Sequence, residues 1–185
     1  EAMNGMLVSN HSYGLTPSSI PESWFGAYLS MASDLDNLVF NAPYYLPVFA
    51  AGNSRNVPPS QDGPFNPDKE GFDLISGKNL AKNILSVANV QEVNNYIGPF
   101  SVFMSGSSSW GPTDDGRIKP DIAAKGTNTF SSTSNGDDTY SSYTGTSMAT
   151  PSVSGSIGLL HQHHNNLYNS FLNAASMRAL VIHTA

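Results

Sequence analysis

Leu46-Pro47-Val48-Phe49-Ala50-Ala51, cut off by Gly52-Asn53-Ser54, is the stretch on which the fold turns. A short apolar run closed by turn residues fits a strand buried on both faces. Upstream, Gly5-Met6-Leu7-Val8-Ser9-Asn10 reads as a second such run, ending in the turn-prone His11-Ser12-Tyr13-Gly14. Between the two, Ser19-Ile20-Pro21-Glu22 combines a Ser-x-x-Glu capping box with an early Pro. Trp24, Phe25, Tyr28, Leu29, Ala32, Leu35 and Leu38 then follow at helical spacing, so a helix is expected from Ser19 onward. Strand, helix, strand implies a parallel pair with a right-handed crossover.

Downstream, Pro58, Pro59, Gly63, Pro64, Pro67 and Gly71 permit no periodic element between Ser54 and Lys78. A loop of that length is expected to be ordered and to bear function. Asn83-Ile84-Leu85-Ser86-Val87-Ala88 restarts the sheet, and Pro99-Phe100-Ser101-Val102-Phe103 offers an edge strand. Ser105 to Tyr143, thick with Ser, Gly and Asp, predicts loops over a core, with one short regular stretch near Ile118 to Ala123. Two helical patterns close the chain, from Ser147 to about His164 and from about Asn169 to Ala185. The class is α/β, with a mainly parallel sheet and flanking helices.

The 185 residues suffice for one core, hence a single domain or a piece of one. The charged fraction of 12% is about half that of an ordinary soluble domain, which predicts a surface of Ser, Thr and Asn. Eight Lys and Arg, scattered against 14 Asp and Glu, make no footprint for a phosphate backbone and exclude nucleic acid as a partner. No apolar run reaches the ~18 residues of a membrane span, and the first ten residues lack the pattern of a signal peptide. The chain is therefore expected to be soluble, with no membrane partner. The absence of Cys excludes a thiolate nucleophile and a disulfide framework.

Gly145-Thr146-Ser147-Met148-Ala149-Thr150-Pro151 places a Ser between a turn of small residues and the first turn of a helix. Pro151 is expected to cost little there, because early helical N–H groups are unpaired. Two roles are open to Ser147. It can cap the helix, or it can act as a nucleophile whose oxyanion is favoured by the helix dipole and free N–H groups.

This heptapeptide resembles the nucleophile motif of the subtilases, the subtilisin-like serine peptidases. Other stretches match in the same order. Ala50-Ala51-Gly52-Asn53 resembles the strand end bearing the oxyanion-hole Asn, and Lys82 to Val87 the sheet strand that follows. Trp110 to Ile122 resembles the stretch leading to the active-site Ser, and Met177 to Ala185 the closing helix. The resemblance is weakest over Ser54 to Lys78. It implies that Ser147 is the nucleophile and that Asn53 donates its amide to the oxyanion beside the Ser147 N–H. Ser12, Tyr13 and Gly14 would line the substrate strand, with the P1 side chain entering between them and Ala50, Ala51 and Gly52.

In the subtilase order Asp comes first, His second and Ser last. The 52 residues before Asn53 contain no segment resembling the family's Asp or His motif. Catalytic Asp and His are therefore expected upstream of residue 1. The chain would be the carboxyl-terminal part of a catalytic domain, inactive alone. His11 lies in the substrate-lining loop, and His161, His163 and His164 lie roughly 20 Å along the helix from Ser147 at 1.5 Å per residue. The His161-Gln162-His163-His164 cluster reads as a solvated helix end rather than a metal site, and His183 as a partly buried packing residue. Asp114-Asp115-Gly116 and Asp137-Asp138 read as turns. No cofactor is required for the chemistry; subtilases often bind structural calcium, for which no ligands are assigned.

Three positions depart from the usual family pattern: Ala123-Ala124-Lys125-Gly126, Val87-Ala88-Asn89, and Ser152 after Pro151. None removes a catalytic group. Two rival readings exist. One is a catalytically silent subtilase-like domain that binds peptides along Ser12-Tyr13-Gly14. The other is an ester hydrolase, which would prefer Gly-x-Ser-x-Gly and meets Ala149 in place of the last Gly. Self-association along an uncovered sheet edge is also expected. The resemblance implies a secreted or cell-envelope location.

Overall fold

The computed structural model describes residues 2–55 and 72–185. Its frame is four parallel strands, β1 (Val8–His11), β2 (Leu46–Ala50), β3 (Leu85–Val90) and β4 (Ile122–Lys125), adjacent in that order. Val8 pairs with Leu46, Val48 with Leu85, and Val87 with Ile122. Strands β2 and β3 are buried at every residue, which is why they read as unbroken apolar runs rather than alternating ones.

Both faces of the sheet are covered. Leu46, Val48, Leu85 and Val87 form the main core with Ala149, Val153 and Ile157 of α2 (Thr146–Tyr168) and Met177 and Val181 of α3 (Ala174–Thr184). Phe49 is one residue out of phase and so serves the opposite face, packing with Ala32 of α1 (Ser30–Phe40), Ala81 and Ile84. Asp121 ties the layers together. Its Oδ2 accepts from the Ser86 N–H and from buried Lys119 Nζ, and its Oδ1 accepts from Arg178 on α3 at 3.1 Å. Burial is the main influence on Lys119 and lowers its pKa; the adjacent Asp121 carboxylate opposes that shift.

Several elements differ from the sequence expectation. The helix expected from Ser19 begins at Ser30, after two short 3₁₀ turns. The Ser19 hydroxyl turns back to the Thr16 carbonyl instead of capping forward. Phe25 bridges Ser76, while the Gly26 N–H donates to Ile75 and its carbonyl accepts from Asp114. Those tertiary pairings take residues 25 and 26 out of the helix despite the apolar spacing. Pro99–Ser101 is a 3₁₀ turn rather than an edge strand, and only Met104 bridges Val90. An antiparallel hairpin, β5 (Thr129–Ser132) and β6 (Tyr140–Tyr143), occupies part of the stretch read as loops. The last helix starts at Ala174, capped by Asn173, whose side chain accepts from the Ser176 N–H. Most of the loop expected over 54–78 lies outside the described residues; its described end includes a 3₁₀ turn at Gly77–Leu80.

Candidate active site

Ser147 is the second residue of α2, with Gly145 at the cap position. Pro151 lies farther into the helix than the first turn expected for it, and it has no N–H to offer the Ser147 carbonyl four residues back. Ser12 fills that vacancy. Its hydroxyl donates to the Ser147 carbonyl at 2.9 Å, and Ser147 Oγ donates to the Ser12 carbonyl at 3.3 Å. The loop after β1 and the start of α2 are thus joined through the residue expected to be the nucleophile.

Asn53 stands beyond the end of β2. Its Oδ1 accepts from the Thr146 N–H at 2.9 Å and from the Thr146 hydroxyl at 3.1 Å, acting as a remote cap on α2. Thr146 Oγ1 in turn accepts from the Gly52 N–H at 3.2 Å. With Oδ1 committed, Nδ2 is the remaining end of this exposed amide and donates to no described residue. The Ser147 N–H also takes no partner among the described residues, since Met148 and Ala149 both donate to the Gly145 carbonyl. Two unpaired donors thus belong to Asn53 and Ser147, residues linked through Thr146 at the positive end of the helix.

A cleft of about 310 Å³ opens beside this pair. Tyr13 and Gly14 form one wall and Ala50, Ala51 and Gly52 another, with Asn53, Thr146 and Ser147 also on the lining. Every expected site residue except Ser12 lines this cleft, and Ser12 touches Ser147 directly. Asn79 lines it as well and had no motif to reveal it.

His11 ends β1, with Nε2 at 2.6 Å from Ser9 Oγ, Nδ1 at 2.6 Å from the Tyr13 hydroxyl, and its ring stacked on Phe49. Burial, then the Lys78 charge, lowers its pKa. Both its nitrogens are engaged away from Ser147. His161 is only 2% exposed, which corrects the solvated helix end expected there. His164 Nδ1 lies 2.7 Å from the Ser170 carbonyl, and His183 is exposed rather than partly buried. Among the described residues no group of three His, Asp or Glu side chains is placed to hold a metal ion. Asp115 sits in a tight turn, where the Thr113 hydroxyl and Arg117 hold its carboxyl down to about 2. No described helix is long and apolar enough to cross a membrane.

A parallel sheet covered on both faces, with a Ser at a helix start beside a strand-end Asn, defines the subtilisin-like class of α/β folds. The family model of the subtilase family matches residues 1–185, and the chain belongs to that family. C5a peptidase of Streptococcus pyogenes is 48% identical over 65 residues, 35% of this chain and 5% of that protein. The PII-type proteinase of Lactococcus lactis subsp. cremoris is 44% identical over 68 residues, 37% of this chain and 4% of its own length. This chain therefore spans a small part of these relatives. Among solved structures, the prenylagaramide maturation protease PagA superposes with a TM-score of 0.65 at 20% identity, covering 95% of this chain and 50% of its own. The S218A mutant of the PatA protease domain gives 0.63 at 21% identity, with coverage of 95% and 50%. These likenesses are of fold.

Proposed function

We propose that this chain is the nucleophile-bearing part of a serine endopeptidase, with Ser147 attacking the carbonyl carbon of the peptide bond to be cut. The observation that carries this reading is the pair of unengaged donors, the Ser147 N–H and Asn53 Nδ2, at the start of α2. When Ser147 Oγ bonds to the carbonyl carbon, the carbonyl π pair moves onto oxygen, and that oxyanion receives the two hydrogen bonds. The charge develops only on the way to the adduct, so donors already fixed in place lower the barrier selectively. An extended substrate lies along Ser12-Tyr13-Gly14, and its P1 side chain enters the cleft walled by Ala50, Ala51 and Gly52.

The Ser147 proton needs a His acceptor, itself oriented by a carboxylate. On this reading both belong to chain preceding residue 1, so the 185 residues alone are inactive. The chemistry requires no cofactor, and the partners are peptide substrate and the upstream part of the same domain rather than nucleic acid or membrane. Family likeness supports a secreted or cell-envelope location.

The test is a fluorophosphonate probe, which reports an activated Ser, applied to the full-length protein and to this chain, with the adduct located by peptide mass spectrometry. Labelling of Ser147 in the full-length protein alone, and loss of hydrolysis on Ser147→Ala, are expected. Labelling in neither favours a catalytically silent peptide-binding domain. One observation points that way: no described His hydrogen-bonds to Ser147.

A further inference from the structure

We infer that Asn79 selects the P1 residue, and that the cleft prefers an uncharged side chain ending in a hydrogen-bond donor. Asn79 is 6% exposed and belongs to the 3₁₀ turn whose next residue, Leu80, is fully buried, so its position is fixed from below. Its amide donates to the Ala50 carbonyl at 2.7 Å. A carbonyl only accepts, which assigns that end as Nδ2 and leaves Oδ1 as the other end. Oδ1 accepts from no described residue, yet it is not among the buried atoms sealed from solvent without a partner. The inference takes this unengaged end of a cleft-lining side chain as the acceptor offered to the P1 group.

The rest of the lining agrees. Leu15, Pro17 and Leu74 offer an apolar path for a side-chain stem, and among the described residues the lining contains no Asp, Glu, Lys or Arg. A charged P1 group would leave water with no counter-charge to meet it. A carboxylate would also bring its lone pairs against those of Oδ1. At about 310 Å³ the cleft admits an aromatic ring. Tyr and Gln, each an apolar stem ending in a neutral donor, fit this chemistry better than Phe, Glu or Lys.

The inference rests on the peptidase reading for the location of P1, and its test separates the two. Peptides that differ only at P1, as Tyr, Phe, Gln, Glu or Lys, are titrated by fluorescence anisotropy against the full-length protein carrying Ser147→Ala. The same set is assayed for hydrolysis by the wild-type full-length protein. Tyr should exceed Phe, and Gln exceed Glu and Lys, by roughly 3- to 10-fold, the worth of one net hydrogen bond. Asn79→Ala should close the Tyr–Phe gap. Asn79→Asp keeps the size and adds a negative charge, so it should turn the preference to Lys; it carries the test if circular dichroism shows Asn79→Ala unfolded. A folded Asn79→Ala that keeps the gap overturns the inference, as does binding indifferent to P1. Hydrolysis with no Asn79 effect sinks this inference alone. Ranked binding without hydrolysis or Ser147 labelling sinks the peptidase reading and leaves this one standing.

Discussion

On the proposed reading Asn53 carries two duties on one amide, and they can be separated. Oδ1 caps α2 through Thr146, while Nδ2 is the donor assigned to the oxyanion. Asn53→Ala removes both and should cost about 1 kcal/mol of stability as a lost cap, together with roughly 10²–10³ in kcat as a lost donor. Asn53→Asp keeps the acceptor and lacks the donor. It should unfold at the wild-type urea concentration yet show the same fall in kcat, and normal turnover in that variant would sink the oxyanion role. Gly145 bears on the same amide. A Cβ there would lie 3.2 Å from Asn53 Nδ2 and 3.4 Å from Oδ1, so Gly145→Ala should displace the donor and lower kcat more than it lowers stability. The gathering of Ser147, Asn53 and the small-residue walls at one cleft was legible in the sequence because they lie in contiguous motifs. Asn79 was not, because its meaning depends on the Ala50 carbonyl, far away along the chain.

At the scale of elements, α2 contains a residue at odds with its surroundings. His161 is buried, its ring lies edge-on to Phe171 with centroids 5.9 Å apart, and neither ring nitrogen has a hydrogen-bond partner among the described residues. Burial first, and the neighbouring His164 second, lower its pKa below the usual 6.5. The folded chain thus holds His161 neutral, whereas the unfolded chain takes up a proton near 6.5. The associated stability is present above that value and is lost as pH falls below it, by at most about 1.4 kcal/mol per pH unit. His161→Leu should flatten this dependence between pH 7 and 5 in urea unfolding of the full-length protein; identical slopes in both would refute it. The spacing of α2 disclosed the helix but not that His161 faces inward, because the cluster His161 to His164 reads as polar whichever way it turns. Hairpin β5–β6 was hidden for a related reason. Strand β6 is exposed throughout and β5 nearly so, with Ser and Thr on both sides, so no alternation marks them; a Phe130–Tyr140 stack and a Thr133–Thr139 hydroxyl contact support the pairing instead. The parallel core was readable because burial on both faces leaves unbroken apolar runs, whereas the start of α1 was not, since contacts of Phe25 and Gly26 with distant residues overrode a capping box.

The whole molecule ends its sheet on β1, whose one strand partner among the described residues is β2. The strand is half-buried: Val8 packs against the main core, while Asn10 is exposed and bonds to Ser154 on α2. An unpaired strand of this kind presents free N–H and C=O groups that a second copy can satisfy. A net charge of −6 opposes such pairing, and the opposition weakens as salt screens it. We therefore expect the isolated 185-residue chain to associate in sedimentation velocity, more strongly at 0.5 M than at 0.05 M salt. Asn10→Lys, which places a long charged side chain on the edge strand, should shift it toward monomer. If the upstream part of the domain supplies the strand that covers β1, as the peptidase reading requires of a complete catalytic unit, the full-length protein should show no such association under the same conditions. A monomeric isolated chain at both salt concentrations would overturn the edge argument. Association that persists in the full-length protein would place the contact elsewhere than β1.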